Sequence, residues 1–455
     1  MPLIRVDADS FADARREVAG GVSIALDLTD EEPTPLAPRA LTGSLKVIAA
    51  GPRAEVDILL TGKDARRIDA SGCTLLPGLV NAHTHLDLTH IGPLPFDREA
   101  GFLSFVKQVL SQRLTDADAI TRSVTLGAQL SLQGGVVAVG DIAGVAAGQP
   151  TLAPVDAVAA TPLHAHSYLE FFAIGTSELA NCANLTTIMG EAATRRYQRV
   201  RVGVSPHAPY TVSLHAYEHA VRVARHHGAS ICTHLAENPE ERAFIATGQG
   251  PFRDLLDRIN LWNDTVAATI GKGATPLAHI KPVLDRALHA EVPVLAAHVN
   301  DCDDMGLMTL KKHRVSVVYS PRSSAYFHNH EHFGPHRYRA MLARGINVCL
   351  GTDSIINLPA AANPSAARIS TWDEMRFLFA RDATQPRDLL AMATTNAARA
   401  LGMKPAAFTF SNSDPLAGLI AVTGSTLTDA LRASTPTTTD IQLLALGRTG
   451  PWPTL

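Results

Sequence analysis

Eight short apolar runs, each ending in polar or small residues, constrain this chain more than any other feature. They are LLPGLVNAHTHL from Leu75, VVAVGDIA from Val136, LHAHSYLEF from Leu163, RVRVGVSPH from Arg199, ASICTHLAE from Ala229, VPVLAAHVN from Val292, RVSVVYSPRS from Arg314 and INVCLGTDS from Ile346. Helix-like stretches follow most of them, among them SFVKQVLSQRL, LHAYEHAVRVARHHG, PFRDLLDRINLW and DMGLMTLKKH. Strands alternating with helices imply a parallel sheet with right-handed crossovers. Eight such units point to a closed (β/α)8 TIM-like barrel. An open doubly wound sheet is the competitor, and no GxGxxG follows the first run to support it. The polar residues gather where the runs end, which in a (β/α)8 barrel is where the active site is built.

The two ends of the chain read differently. VSIALDLT, SLKVIAA and VDILLTG near the start, and LAGLIAVTG and DIQLLALGR near the end, are short strand patterns without helices between them. The expected organisation is a barrel over 76–403, with 1–75 and 404–455 pairing into one small β-sandwich domain. The segment Asn263 to Glu291 is longer than an ordinary connection and reads as an insertion near the barrel mouth.

Composition narrows the function classes. Hydrophobic residues make up 46% and charged residues 18% of 455 residues, a globular balance. A net charge of -3 points to neither a nucleic-acid nor a membrane partner. The five cysteines form no CxxC and cannot all pair within the chain, which fits free thiols in a reducing cytoplasm. The opening MPLIRVDADSF lacks the apolar core of a secretory signal.

His83-Thr84-His85 ends the first run. Alternate strand side chains point the same way, so these two imidazoles project into one space and can share a metal ion. Such a pair also arises by chance, as His164-Ala165-His166 shows. His234 at the end of the fifth run and Asp353 at the end of the eighth complete three imidazoles and a carboxylate on one barrel face. That donor set suits one divalent ion, Zn²⁺ first and Fe²⁺ second. Glu237, three residues after His234, is placed to carry a proton beside the metal site. Asp353 and His298, at the sixth strand end, are the other candidate proton-handling groups. His207, in a loop fixed by Pro206 and Pro209, is a candidate substrate contact.

At these residues the chain resembles the amidohydrolase superfamily, in its cytosine/adenosine-deaminase-like and chlorohydrolase-like branch. The resemblance runs from about Ile68 to Leu401 through IDASGCTLLPGLVNAHTHLDL, SPHAPYTVS, THLAE, AAHVN and LGTDS. It implies His83, His85, His234 and Asp353 as metal ligands, Glu237 as proton carrier, and His298 and His207 on the substrate side. It also implies hydrolytic loss of ammonia from a purine-like or other N-heterocyclic small molecule. Within the branch, HTHLDLTH followed by FLSFVKQVLSQR, ENPEERAFIATGQGPFRDLL and ISTWDEMRFLF look like aminodeoxyfutalosine deaminases. Methylthioadenosine/S-adenosylhomocysteine deaminases come next, and a chlorohydrolase or amide hydrolase is the further alternative. Two-metal relatives use a modified lysine on the fourth strand; no lysine lies between Lys107 and Lys272, which favours one metal. A homodimer is compatible with the sequence.

The chain departs from the resemblance after the seventh run, where SPRSSAYFHNHEHFGPHRYRAML replaces the usual CPxSN opening, with Ser320 and Ser324 in the Cys and Asn places. This loop, 321–341, carries Arg322, Arg337 and Arg339. The expectation is that one of them, Arg322 first, reaches over the mouth to an anionic part of the substrate.

Overall fold

The structure, a computed structural model, describes residues 3–360, 367–432, 440–448 and 450–453. Four strands open the chain: β1 (Leu3–Ala12), β2 (Glu17–Thr29), β3 (Leu41–Pro52) and β4 (Ala65–Pro77). Eight strands follow as a parallel sheet: β5 (Leu79–Thr84), β6 (Val136–Ala143), β7 (His164–Phe171), β8 (Val200–Pro206), β9 (Ile231–Leu235), β10 (Val294–His298), β11 (Ser316–Tyr319) and β12 (Val348–Leu350). The last two, β13 (Gly418–Thr423) and β14 (Ile441–Gly447), return to the first four.

The eight apolar runs are the eight parallel strands, in sequence order around the sheet. Every residue of β6 and of β7 is buried, as expected for strands covered by side chains inside and helices outside. The sheet closes between β12 and β5 through a parallel bridge, Thr84 to Asp353. The His85 N–H donates to the Asp353 carbonyl at 3.1 Å, and the Asp353 N–H donates to the His83 carbonyl at 3.0 Å. Gly351 permits this approach: a Cβ there would lie 2.9 Å from the His83 carbonyl oxygen and 2.7 Å from Val318.

The terminal strands form one small β domain with its own core of Ile4, Val6, Phe11, Ile24, Leu26 and Leu419. In place of the two packed sheets of a sandwich, its six strands join in a closed ring, β1-β2-β3-β14-β13-β4. Two parallel pairings make the ring: β1 with β4, and β14 with β3. Closure removes the free edges that a sandwich of this size would expose.

The segment after Asn263 folds into three short helices, Asp264–Thr269, Pro276–His279 and Lys281–His289. The first packs Val266 and Ile270 into an apolar cluster with Phe102, Phe252 and Phe327. That cluster stands over the C-terminal strand ends. The last belongs to the barrel's outer layer, with Val283, Leu284 and Ala287 turned to its core.

A buried ion cluster joins the ring to the barrel. Arg368 donates to Asp373, on the helix Thr371–Asp382, at 2.6 and 2.9 Å, and to Asp440, just before β14, at 2.5 and 3.0 Å. Arg376 also reaches Asp440, at 3.1 Å. Removing one member of such a cluster strands the others without water. Arg368→Ala is therefore expected to cost about 3 kcal/mol, read as a lower denaturant midpoint at fixed metal concentration. An unchanged midpoint would mean that the cluster does not hold the interface.

Candidate active site

The C-terminal ends of four strands bring four histidines and an aspartate to one place. His83 lies one residue before the end of β5 and His85 follows the strand. His234 lies in β9, His298 ends β10, and Asp353 follows β12. The His85 and His234 Nε2 atoms are 3.2 Å apart, and Asp353 Oδ1 is 3.6 Å from both His83 Nε2 and His85 Nε2. His83, His85 and His234 satisfy the spacing for a shared ion, and so do His83, His298 and Asp353.

Two observations test whether a cation fits. The His234 Nδ1–H donates to the His207 carbonyl at 3.0 Å, which leaves Nε2 as a bare lone pair facing His85. The His85 Nε2 lies 3.2 Å from that lone pair, the spacing of two imidazole nitrogens that share one cation. Both ring nitrogens of His83 are buried and have no hydrogen-bond partner, an arrangement that costs free energy unless something is bound. Tetrahedral coordination at ~2.0–2.1 Å sets ligand atoms roughly 3.3 Å apart. The residues fit a divalent ion.

Electrostatics agree with that reading. Burial, with His83 alongside, holds His85 down to about 3, and it pushes His234 well below the usual histidine range. These are neutral imidazoles, the form that ligates. Burial pushes Asp353 up, but the neighbouring His83, His298 and His85 imidazoles outweigh it and the net shift is downward, so the carboxylate stays ionised. The Ser323 hydroxyl donates to Asp353 Oδ2 at 2.7 Å, which leaves Oδ1 facing the imidazoles. Ser323 belongs to the short helix Pro321–Tyr326 that follows β11.

Glu237 borders the cluster, with Oε1 3.6 Å from His298 Nε2. Burial first, then the charges of Asp353, Glu241 and Glu240, push its carboxyl well above the ordinary range. Its backbone is held from two sides. Glu241 accepts from the Ala236 and Glu237 N–H groups at 3.0 and 2.8 Å, and the Asn300 amide donates to the Glu237 carbonyl at 2.9 Å. Ser324 in turn donates to Asn300 at 3.1 Å. Ala236, His298, Val299 and Asp353 all take positive φ, between 52° and 73°, which L residues adopt only where surroundings impose it.

A cavity of about 300 Å3 opens beside the cluster. His85, His234, Glu237 and Asp353 form part of its lining, and His207, Arg113 and Glu170 stand near them. The rest is mostly apolar, with Phe102, Phe105, Phe172, Phe252, Phe327 and Leu256 among its walls. His207 Nδ1 lies 2.8 Å from the Thr211 hydroxyl, whose proton goes to the Ala208 carbonyl at 3.1 Å. The hydroxyl must then accept from Nδ1–H, so His207 keeps a bare Nε2. Burial lowers its pKa to about 4.

Arg322 stands elsewhere, correcting the expectation that it reaches the mouth. Its Nε donates to the buried Glu374 at 2.6 Å, and it is absent from the cavity lining. Arg337 pairs with Asp304 at 2.7 Å, and Arg339 donates to the Asp382 carbonyl at 3.3 Å. His336 stacks on Tyr319 with ring centroids 3.8 Å apart and contacts the His298 carbonyl at 2.9 Å. The loop spends its charges on its own framework and gives the cavity Phe327. The cation in the lining is instead Arg113, bound to Glu170 at 2.9 Å and Asp87 at 3.2 Å. Burial raises Glu170, but Arg113, His207 and His85 overcome it and its net shift is downward. One carboxylate oxygen of Glu170 remains buried and unpartnered.

The chain matches the sequence pattern of the Amidohydrolase family over residues 74–406. A 5-methylthioadenosine/S-adenosylhomocysteine deaminase of Dictyoglomus thermophilum is 28% identical over 352 residues, which cover 74% of this chain and 71% of that protein. An aminodeoxyfutalosine deaminase of Deinococcus radiodurans is 28% identical over 296 residues, 63% of this chain and 65% of its own. The solved structure of Helicobacter pylori aminofutalosine deaminase in complex with methylthio-coformycin has a TM-score of 0.70 at 18% identity, over 98% of this chain and 99% of that one.

Protein purified without chelators is expected to carry about one equivalent of Zn²⁺ or Fe²⁺ per chain, and His234→Ala to lose most of it. Elemental analysis that finds two equivalents, or none with turnover retained, would overturn the one-ion reading.

Proposed function

The chain belongs to the amidohydrolase family, and from that premise we propose that it is a metal-dependent hydrolytic deaminase, acting on an adenine-type nucleoside with an uncharged, apolar appendage. The observation that carries the proposal is one continuous cavity. Its floor holds the imidazole–carboxylate cluster and Glu237, and its walls are aromatic. Both curated relatives are named as deaminases, one of methylthioadenosine and S-adenosylhomocysteine, the other of aminodeoxyfutalosine.

His83, His85, His234 and Asp353 would hold the ion, Zn²⁺ by the softness of three imidazoles. Bound there, a divalent ion supplies the Lewis acidity that makes water nucleophilic near neutral pH. Glu237 gives its proton to a ring nitrogen, which leaves the adjacent amine-bearing carbon electron-poor. Water adds to that carbon. Asp353, with His298 beside it, accepts the proton that water releases and passes it to the amino nitrogen. The carbon–nitrogen bond breaks, ammonia leaves, and the new hydroxyl becomes a carbonyl by returning its proton to Glu237. His207, with its bare Nε2, accepts a hydrogen bond from the substrate and fixes its orientation. The raised Glu237 carboxyl suits a group that must hold a proton before it delivers one.

The charge of the cavity selects among the candidates. Its lining holds one arginine, and Arg113 is already matched by Glu170 and Asp87. A benzoate-bearing substrate such as aminodeoxyfutalosine would enter without a free cation to meet it. An apolar 5′ substituent would instead bury against Phe102, Phe105, Phe252 and Phe327.

Ammonia release across adenine nucleosides tests the substrate. Methylthioadenosine and 5′-deoxyadenosine are expected to exceed aminodeoxyfutalosine in kcat/KM by at least about tenfold, roughly the loss from burying one unpaired charge after partial rehydration. The reverse order would return the benzoate reading. Glu237→Gln should keep the metal and lower turnover about 10²–10⁴-fold; a variant with more than about a tenth of wild-type turnover would assign the proton to another group.

A further inference from the structure

A second cavity, of about 610 Å3, opens at the N-terminal ends of β8, β9 and β10, on the opposite side of the barrel from the metal cluster. Its volume falls within the ~300–1,000 Å3 range of small-molecule sites. Catalysis in barrels of this kind uses the other face, so nothing in the proposed reaction accounts for what lines it.

The lining is strongly basic. Arg195, Arg196, Arg201 and Arg399 border the cavity, and no aspartate or glutamate does among the described residues. Arg195 lies 3.6 Å from Asp156. Among the described residues the other three meet no carboxylate: Arg399 reaches the amide oxygens of Asn347 and Asn396, at 3.3 Å each. Arg201 lies over the Trp452 ring at 5.3 Å from its centroid. His166, held by the Leu401 carbonyl and lowered by burial to about 4, adds no charge.

The Trp452 indole, at 8% exposure, lies beneath Arg201 and helps to floor the cavity, with its Nε1 closed off from it by protein atoms. Three guanidinium groups that meet no carboxylate among the described residues, gathered around one cavity, call for an anion with several oxygens. A phosphate offers both the charge and the acceptor count, and arginine binds it through paired hydrogen bonds.

We propose that this cavity is a binding site for a phosphate-bearing metabolite, held by Arg196, Arg201 and Arg399. Free inorganic phosphate and a sugar phosphate share that chemistry. Calorimetric titration of the metal-loaded full-length protein with each, using inorganic phosphate and ribose 5-phosphate at matched ionic strength, separates them. At least one is expected to bind the wild-type protein. Arg196→Gln and Arg399→Gln change exposed residues and should each weaken that binding at least tenfold, the scale of a lost charge-assisted hydrogen bond. Ammonia release by the arginine variants should match wild type, which separates loss of the site from loss of the fold. Tighter binding of ribose 5-phosphate assigns the site to an ester, and equal binding assigns it to the phosphate group alone. No binding of either probe to the wild-type protein, or affinity unchanged in both arginine variants, overturns the proposal.

Discussion

The junction of β5 with β12 bears the weight of this structure. The barrel closes through the backbone of His83, His85 and Asp353, and the side chains of those three residues face one another above the closure. The fold and the cluster are therefore one event. If the ring fails to close, the donor set disperses; if nothing binds the cluster, the buried, unpartnered nitrogens of His83 oppose closure. Gly351 and the positive φ of Asp353 are the local conditions under which the last strand comes near enough.

Around that junction the buried polar groups divide by whether protein atoms satisfy them. Glu241, Asn300, Ser323 and Ser324 have partners, and each holds the backbone or one oxygen of a residue in the cluster. The His83 nitrogens, the His298 Nε2 and one oxygen of Glu170 have none, and all belong to the cluster or the cavity beside it. Native interiors leave few such atoms unpaired, so their concentration here says where the molecule expects an external partner.

Much of this could be read along the chain because the chemistry sits at strand ends. A ligand that follows an apolar run, as His83, His234 and Asp353 do, is announced by its immediate neighbours. What lay hidden depends on distant partners. Arg322 looks free within its loop, and the partner that claims it, Glu374, lies 52 residues further on. Arg113 reads as one more charge on a helix-like stretch, yet Glu170, 57 residues away, draws it into the cavity wall. A signal did exist for Glu170, a carboxylate inside the apolar run LHAHSYLEF, where burial demands a counter-charge. The ring of the terminal domain was illegible for the same reason. Its strand patterns are local, but the parallel pairings that close it join segments with no sequence trace of each other.

The aromatic wall has an evolutionary consequence. Phe102 and Phe105 come from the helix Gly101–Gln112, Phe252 from the helix Pro251–Arg258, and Phe327 from the loop after β11. None of these segments contributes a histidine or a carboxylate to the cluster. Selection can therefore reshape the wall one segment at a time while the chemistry stays intact. A lineage built this way should change its diet far more readily than its reaction.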